Sequence, residues 1–149
     1  MGNLKLTSSA FEDGSEITRK YGYKNGNEVP PLAINGVPEG TESLTLIMDD
    51  PDAMEPAGKV WVHWVIWNFT CFADAKPDFS SPTKQGMTDF GEVGYGGPAP
   101  PGKRHTYVFK LYALDTDLDL PDKSTKADVE KAMEGHIIEQ ATLTGTYAP

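Results

Sequence analysis

The chain has 149 residues, 38% hydrophobic and 23% charged, a balance that excludes a disordered chain and predicts one domain over residues 1–149. Its formal net charge of −9 disfavours nucleic acid and anionic membrane surfaces as partners, because like charges repel at long range. The single cysteine excludes an intrachain disulfide, and no apolar stretch approaches the ~20 residues of a membrane span. We therefore expect a cytoplasmic protein without stable membrane insertion.

The first half of the chain is rich in turn signals. Residues 22–40 carry Asn-Gly and Pro-Pro dipeptides, which predict turns separated by short extended pieces. The apolar run Ser43–Asp49 predicts a strand. Pro51 ends this strand, because proline has no N–H for the ladder and restricts the residue before it.

The strongest predicted strand is Val60–Phe69, which is β-branched and aromatic with no glycine or proline. If side chains alternate strictly along this strand, His63 shares a face with Trp61, Val65, Trp67 and Phe69. The opposite face is also apolar and carries Val60, Val62, Trp64 and Ile66. A strand that is apolar on both faces is covered on both sides, so we expect it inside a sheet. Tyr107–Leu114 predicts a second strand of this kind.

One helix is predicted near the C-terminus. Ser124 or Thr125 is suited to cap it, Asp128 fits the third position after Thr125, and Gly135 fits its end. The segment 136–147 returns to strand character. Short strands with turn signals and one late helix predict a mainly β fold, a mostly antiparallel β-sandwich.

Acidic residues follow the first strong strand where the chain leaves the sheet. Asp50 and Asp52 flank Pro51, which stiffens the loop, and loops at strand ends often present functional groups. A turn in which the Asp52 carboxylate accepts from nearby amides would explain the presence of one of these acids without a functional site. His63, on its apolar strand, fits either a site or a core histidine bonded to a backbone carbonyl.

A second candidate segment is the loop Gly94–Gly102, which holds four glycines and three prolines. Glycine lets backbone N–H groups approach an anion and proline stiffens the loop, although a rigid connector has the same composition. His105 and Tyr107 then open the next strand on one face. The metal-binding spacings HExxH and CxxC and the nucleophile motif GxSxG are missing from the sequence, so we expect no metal, cofactor or catalytic residue.

Four segments carry a resemblance to a known family: PPLAINGVPEGTESLTLIMDDPDA, HWVIWNF, GYGGPAPPGKRHTYVFKLYALD and AMEGHIIEQATLTGTY. They resemble the phosphatidylethanolamine-binding protein family, and its compact bacterial and archaeal branch in particular. It implies a sandwich of two antiparallel sheets with one or two short helices. It also implies a small pocket at one end that binds anions, notably phosphate groups. On matched positions the pocket comprises Asp50, Asp52, His63, Gly97, Ala99, His105 and Tyr107.

The expected function is therefore the binding of a small anion or phosphate-bearing ligand, with a regulatory role. We expect His63 and His105 to donate to the anion, Asp50 to orient His63 and raise its pKa, and amides of the Gly-Gly-Pro loop to add donors. The alternative is inhibition of a serine protease or another partner enzyme, as some relatives of the family do. A hydrolase using the Asp/His pair is less favoured. The wide apolar strands also permit a homodimer.

Overall fold

The computed structural model describes residues 2–80 and 82–149. Strands are numbered in chain order: β1 (Lys5–Thr7), β2 (Ala33–Asn35), β3 (Ser43–Asp50), β4 (Trp61–Cys71), β5 (Pro77–Asp78), β6 (Lys84–Gln85), β7 (His105–Leu114) and β8 (Ile137–Tyr147). The helices are the single turn α1 (Met54–Ala57) and α2 (Lys126–Met133), and Arg19–Tyr21 and Pro51–Ala53 form short 3₁₀ turns. No helix in the described part of the chain is long and apolar enough to cross a membrane.

The main sheet has six strands, all of them antiparallel to their neighbours. Its order is β5-β4-β3-β7-β8, and β6 also pairs with β4. Strand β3 lies between the two long strands β4 and β7, and all eight of its residues are buried. The second sheet consists of β1 and β2 alone. The prediction of a mainly β fold with two antiparallel sheets is confirmed, although the sheets are very unequal in size.

Each face of the six-stranded sheet has its own core. On one face, apolar side chains of β3, β4 and β7 pack with β1 and β2; this cluster includes Leu6, Ile34, Leu46, Trp64, Ile66, Phe69 and Phe109. On the other face they pack against α2; this cluster includes Ile47, Val62, Val65, Trp67, Val129 and Met133. Burial on both faces removes a large apolar area from water, which is the main stabilising term of the fold.

Strand β4 contains two bulges, which change the faces expected from simple alternation. Met48 pairs with Trp64 and Asp49 with Val62, so His63 is an extra residue between two ladder pairs. Asn68 is extra in the same way and has a left-handed backbone with φ 60°. Each bulge shifts the alternation by one residue. As a result, Val62 joins Val65 and Trp67 facing α2, and Phe69 joins Trp64 and Ile66 on the opposite face.

Helix α2 has the predicted N-terminal cap. The Thr125 hydroxyl accepts from the Asp128 amide and the Asp128 carboxylate accepts from the Thr125 amide, which completes a capping box. Lys126, at the first helical position, also reaches across to the buried Asp49 carboxylate at 2.8 Å, and Lys110 of β7 approaches the same oxygen at 3.1 Å. The helix is thereby joined to β3 and β7 through one acidic side chain.

The ends of four strands meet at one end of the main sheet. Asp50 at the end of β3 pairs with Trp61 at the start of β4, and His105 at the start of β7 pairs with Tyr147 at the end of β8. Strand β7 begins at His105, so it includes the two residues that precede the predicted apolar run Tyr107–Leu114. This end of the sheet therefore carries the acidic and imidazole side chains that the sequence singled out.

Candidate functional site

A cavity of about 190 Å³ opens at this end of the sheet. Nine residues line it: Asp50, Ala53, Ala57, Trp61, His63, Phe90, Ala99, Pro101 and His105. Six of the nine are apolar, so the three polar side chains act in surroundings of low polarity, where charges interact strongly.

Asp50 is held against His105. Its Oδ2 atom lies 2.6 Å from Nδ1 of His105, while Oδ1 accepts a hydrogen bond of 2.9 Å from the Asp52 amide. Asp50 is 3% exposed and His105 is 1% exposed. Because an ionised carboxylate can only accept, Nδ1 of His105 carries a proton, and Asp50 can compensate a positive charge on this ring.

His63 is oriented by the backbone and not by Asp50. Its Nδ1 donates to the Gly96 carbonyl at 2.7 Å, and the Gly96 amide donates to the His63 carbonyl at 2.8 Å. The expectation that Asp50 orients His63 is therefore wrong, because that carboxylate is bonded to His105. The pKa of His63 is also lowered and not raised, since burial of the ring outweighs its bonds to the loop and the charges of Asp50 and Asp49.

Both histidines line the cavity with Nδ1 already bonded, so Nε2 is the ring nitrogen left for a ligand. A backbone carbonyl fixes Nδ1–H of His63, and a carboxylate fixes Nδ1–H of His105. Nε2 of His105 is buried and has no hydrogen-bond partner among the described residues. A buried polar atom without a partner costs free energy, so such an atom in a cavity wall is a strong indication of a ligand or an ordered water.

Tyr107 lies behind the two histidines and does not line the cavity. Its ring is fully buried, packs edge-on against His63 at 5.1 Å between centroids, and lies 6.4 Å from His105. Burial raises the pKa of the Tyr107 phenol above its usual value, and the charge of Asp50 raises it further. Within the described residues its hydroxyl makes no hydrogen bond of standard geometry. Tyr107 therefore supports the positions of both imidazole rings.

Two other predicted site residues lie outside the cavity lining. Asp52 is exposed, and its Oδ2 accepts from the Thr106 amide at 2.8 Å, which joins the turn after β3 to the start of β7. The Gly97 amide donates to Oδ1 of Asn27 at 2.7 Å. The Gly96 amide is bonded to the His63 carbonyl, so neither glycine amide is available to a ligand. The expectation that amides of the Gly-Gly-Pro loop donate to the anion is therefore wrong for these two residues. Ala99 of the same loop does line the cavity.

Several residues of the cavity wall were not predicted from the sequence. Phe90 is the most informative: its ring packs edge-on against His63 and Trp61 and stacks on Tyr23 at 4.2 Å between centroids. It belongs to a tight turn in which the Thr88 amide donates to the Glu92 carbonyl. No motif marks this turn in the sequence. Trp61 was predicted only as a strand residue, although its position beside His63 gave a usable signal.

The described residues contain no cluster of three or more histidine, cysteine, aspartate or glutamate side chains placed to hold a metal ion.

Comparisons with known proteins agree with this architecture. The profile of the phosphatidylethanolamine-binding protein family matches residues 7–148, and the chain belongs to this family. A UPF0098 protein of Methanothermobacter thermautotrophicus is 44% identical over 97% of this chain and 98% of its own length. Among solved structures, a phosphatidylethanolamine-binding protein homolog from Chlamydia trachomatis is 37% identical, with a TM-score of 0.89 over 99% of this chain and 98% of its own. E. coli YbcL is 31% identical, with a TM-score of 0.86 over 98% of each chain.

Proposed function

We propose that the cavity between β3, β4 and β7 binds a phosphate group or a similar small anion. The observation that carries this proposal is Nε2 of His105, a buried polar atom without a hydrogen-bond partner on a residue that lines the cavity. An oxyanion placed between the two imidazoles would accept from this atom when the ring is protonated. Charge-assisted hydrogen bonds of this kind are stronger than neutral ones.

The acid in the cavity wall supports anion binding instead of opposing it. Asp50 neutralises a positive charge on His105 at 2.6 Å, so the pair presents a donor to the cavity while remaining neutral overall. The apolar wall, which includes Ala53, Phe90 and Pro101, excludes competing water and strengthens this donor.

The size of the cavity restricts the ligand. Its volume of about 190 Å³ is below the ~300–1,000 Å³ of pockets that enclose drug-sized molecules. A phosphate group with a few attached atoms fits these dimensions, and any larger substituent would extend outside. The ligand is accordingly a small anion or the anionic head of a larger molecule.

Calorimetric titration of inorganic phosphate at neutral pH tests the proposal. His105→Ala removes a charge-assisted bond of about 1.5–3 kcal/mol, so we expect affinity to fall roughly 10- to 150-fold. His136→Ala is the matched control, because His136 is an exposed histidine bonded to Asp115, away from the cavity. Unchanged phosphate affinity in His105→Ala, or equal losses in both variants, would show that the anion does not bind here.

The other expectations stay predictions. They are a protease or another enzyme as partner, a homodimer, and a cytoplasmic location. The cavity geometry bears on none of them.

A further inference from the structure

The two histidines of the cavity are not equivalent. Nδ1 of His105 contacts the carboxylate of Asp50 at 2.6 Å, whereas Nδ1 of His63 contacts a neutral carbonyl at 2.7 Å. A positive charge on His105 therefore has a counter-charge in direct contact, and a positive charge on His63 has none. The cavity therefore contains one histidine suited to donate a hydrogen bond, His105, and one suited to accept a hydrogen bond, His63.

The surroundings of His63 favour its neutral form. The ring is 2% exposed and is packed between Phe90 and the ring of Tyr107. The ionisable groups around it are Asp49 and Asp50 of β3 and Tyr107 and His105 of β7. The two carboxylates attract a proton to His63, but burial outweighs them and lowers its pKa below 6.5. With Nδ1–H fixed on the Gly96 carbonyl, neutral His63 presents a lone pair at Nε2.

We propose that the cavity selects oxyanions that carry their own acidic proton, hydrogen phosphate above all, with Nε2 of His63 accepting that proton in a hydrogen bond. This inference rests on the proposed anion-binding function and specifies its ligand class. Sulfate brings no proton at neutral or alkaline pH, so it binds only after His63 has been protonated. A phosphomonoester has a second pKa near 6, and above about pH 7 it is a dianion that behaves like sulfate.

The proton requirement gives a distinctive pH dependence. Above the pKa of His63, protonation of this ring costs a factor of ten in affinity for each pH unit. Sulfate affinity should therefore fall about thirtyfold relative to phosphate between about pH 7.5 and about pH 9. Over this range phosphate remains mainly the hydrogen phosphate dianion. The ratio of the two affinities cancels pH effects that are common to both anions, so it reports on the proton that His63 must take up for sulfate.

Calorimetry with inorganic phosphate, sulfate and phosphoethanolamine at several pH values in this range is the direct experiment. Repeating each titration in two buffers of different ionisation enthalpy counts the protons taken up. We expect uptake approaching one proton for sulfate and for phosphoethanolamine, and near zero for phosphate. Phosphoethanolamine is a phosphomonoester, so its arm separates esterified phosphate from the free ion.

His63→Gln is the decisive variant. It places an amide at the position of the imidazole, and an amide donates without taking up a proton. The affinity ratio should become independent of pH in His63→Gln, while His136→Gln should keep the wild-type slope.

A ratio that stays constant with pH in the wild-type protein would overturn the selectivity, as would phosphoethanolamine binding without proton uptake. Neither result would remove phosphate binding itself. Complete failure of phosphate to bind, in contrast, would refute the anion site and this inference together.

Discussion

Gly97 supports the cavity through close packing, and its replacement by alanine should show this. A Cβ atom at residue 97 would lie 2.0 Å from the carbonyl oxygen of Tyr21 and 2.9 Å from the amide nitrogen of Tyr23, whereas ordinary contact begins at 3.4 Å. Both neighbours are backbone atoms, which cannot rotate away as a flexible side chain does. The glycine-proline loop would therefore have to move away from residues 21–23 by about 1 Å or more.

The cost follows from the contacts that this movement breaks. The Gly97 amide donates to Asn27 at 2.7 Å and the Tyr23 amide donates to the Pro98 carbonyl at 2.9 Å. Each bond contributes about 0.5–1.5 kcal/mol, and overpacking adds about 1–3 kcal/mol. We expect Gly97→Ala to lose about 3 kcal/mol of unfolding free energy, which lowers the Tm of a chain of this size by roughly 6–12 °C.

Urea denaturation followed by tryptophan fluorescence measures this loss. The control is Gly102→Ala in the same loop, where a Cβ meets nothing within 4 Å and only the left-handed backbone at φ 81° is strained. That strain costs about 1 kcal/mol. Equal losses at the two glycines, or a loss below about 1 kcal/mol for Gly97→Ala, would refute the packing argument. Phosphate affinity should fall in Gly97→Ala, because the same loop holds His63 through Gly96.

Three further predictions concern stability. Asp49→Asn removes the negative charge that Lys110 and Lys126 share, although the amide oxygen can still accept. It should cost about 2 kcal/mol in urea, since both lysines keep some solvent contact; a loss under about 0.5 kcal/mol would contradict the role of this carboxylate. Thr125→Ala should lower the unfolding free energy by about 1 kcal/mol through the lost cap of α2, and an unchanged urea midpoint would argue against it. The lowered pKa of His63 means that the unfolded chain binds this proton more readily, so stability should fall as pH drops through 6.5, by at most about 1.4 kcal/mol per unit. A His63→Gln variant with the same pH profile as the wild type would exclude that origin.

The long elements of the fold could be predicted from the sequence. Strands β3, β4 and β7 are long and mainly apolar, and α2 carries both a capping pattern and an apolar face. The short strands β1, β5 and β6 have two or three residues each, too few for any periodicity to stand out. The bulges at His63 and Asn68 were missed because alternation was assumed to be continuous along β4.

The three polar side chains of the cavity lining were predicted from the sequence, but the pairing among them was not. Asp50, His63 and His105 each lie near the end of a strong strand, and adjacent antiparallel strands bring such ends together. The side chain of Asp50, however, has β4 on one side and β7 on the other. Nothing in the sequence tells which of the two imidazoles it contacts, because that choice depends on the bulge that turns His63 towards Gly96. Phe90 and Ala57 come from connecting segments that carry no periodic signal.

His63, the extra residue at the first bulge of β4, lies outside the pairing of β3 with β4. Its neighbours Val62 and Trp64 hold the ladder to Asp49 and Met48, so the side chain at position 63 has no cross-strand partner to satisfy. Under the proposed anion-binding function, substitutions at this position should alter ligand preference while the strand register of β3 and β4 stays the same. A scaffold of this type would then acquire new ligand preferences through changes at a single residue.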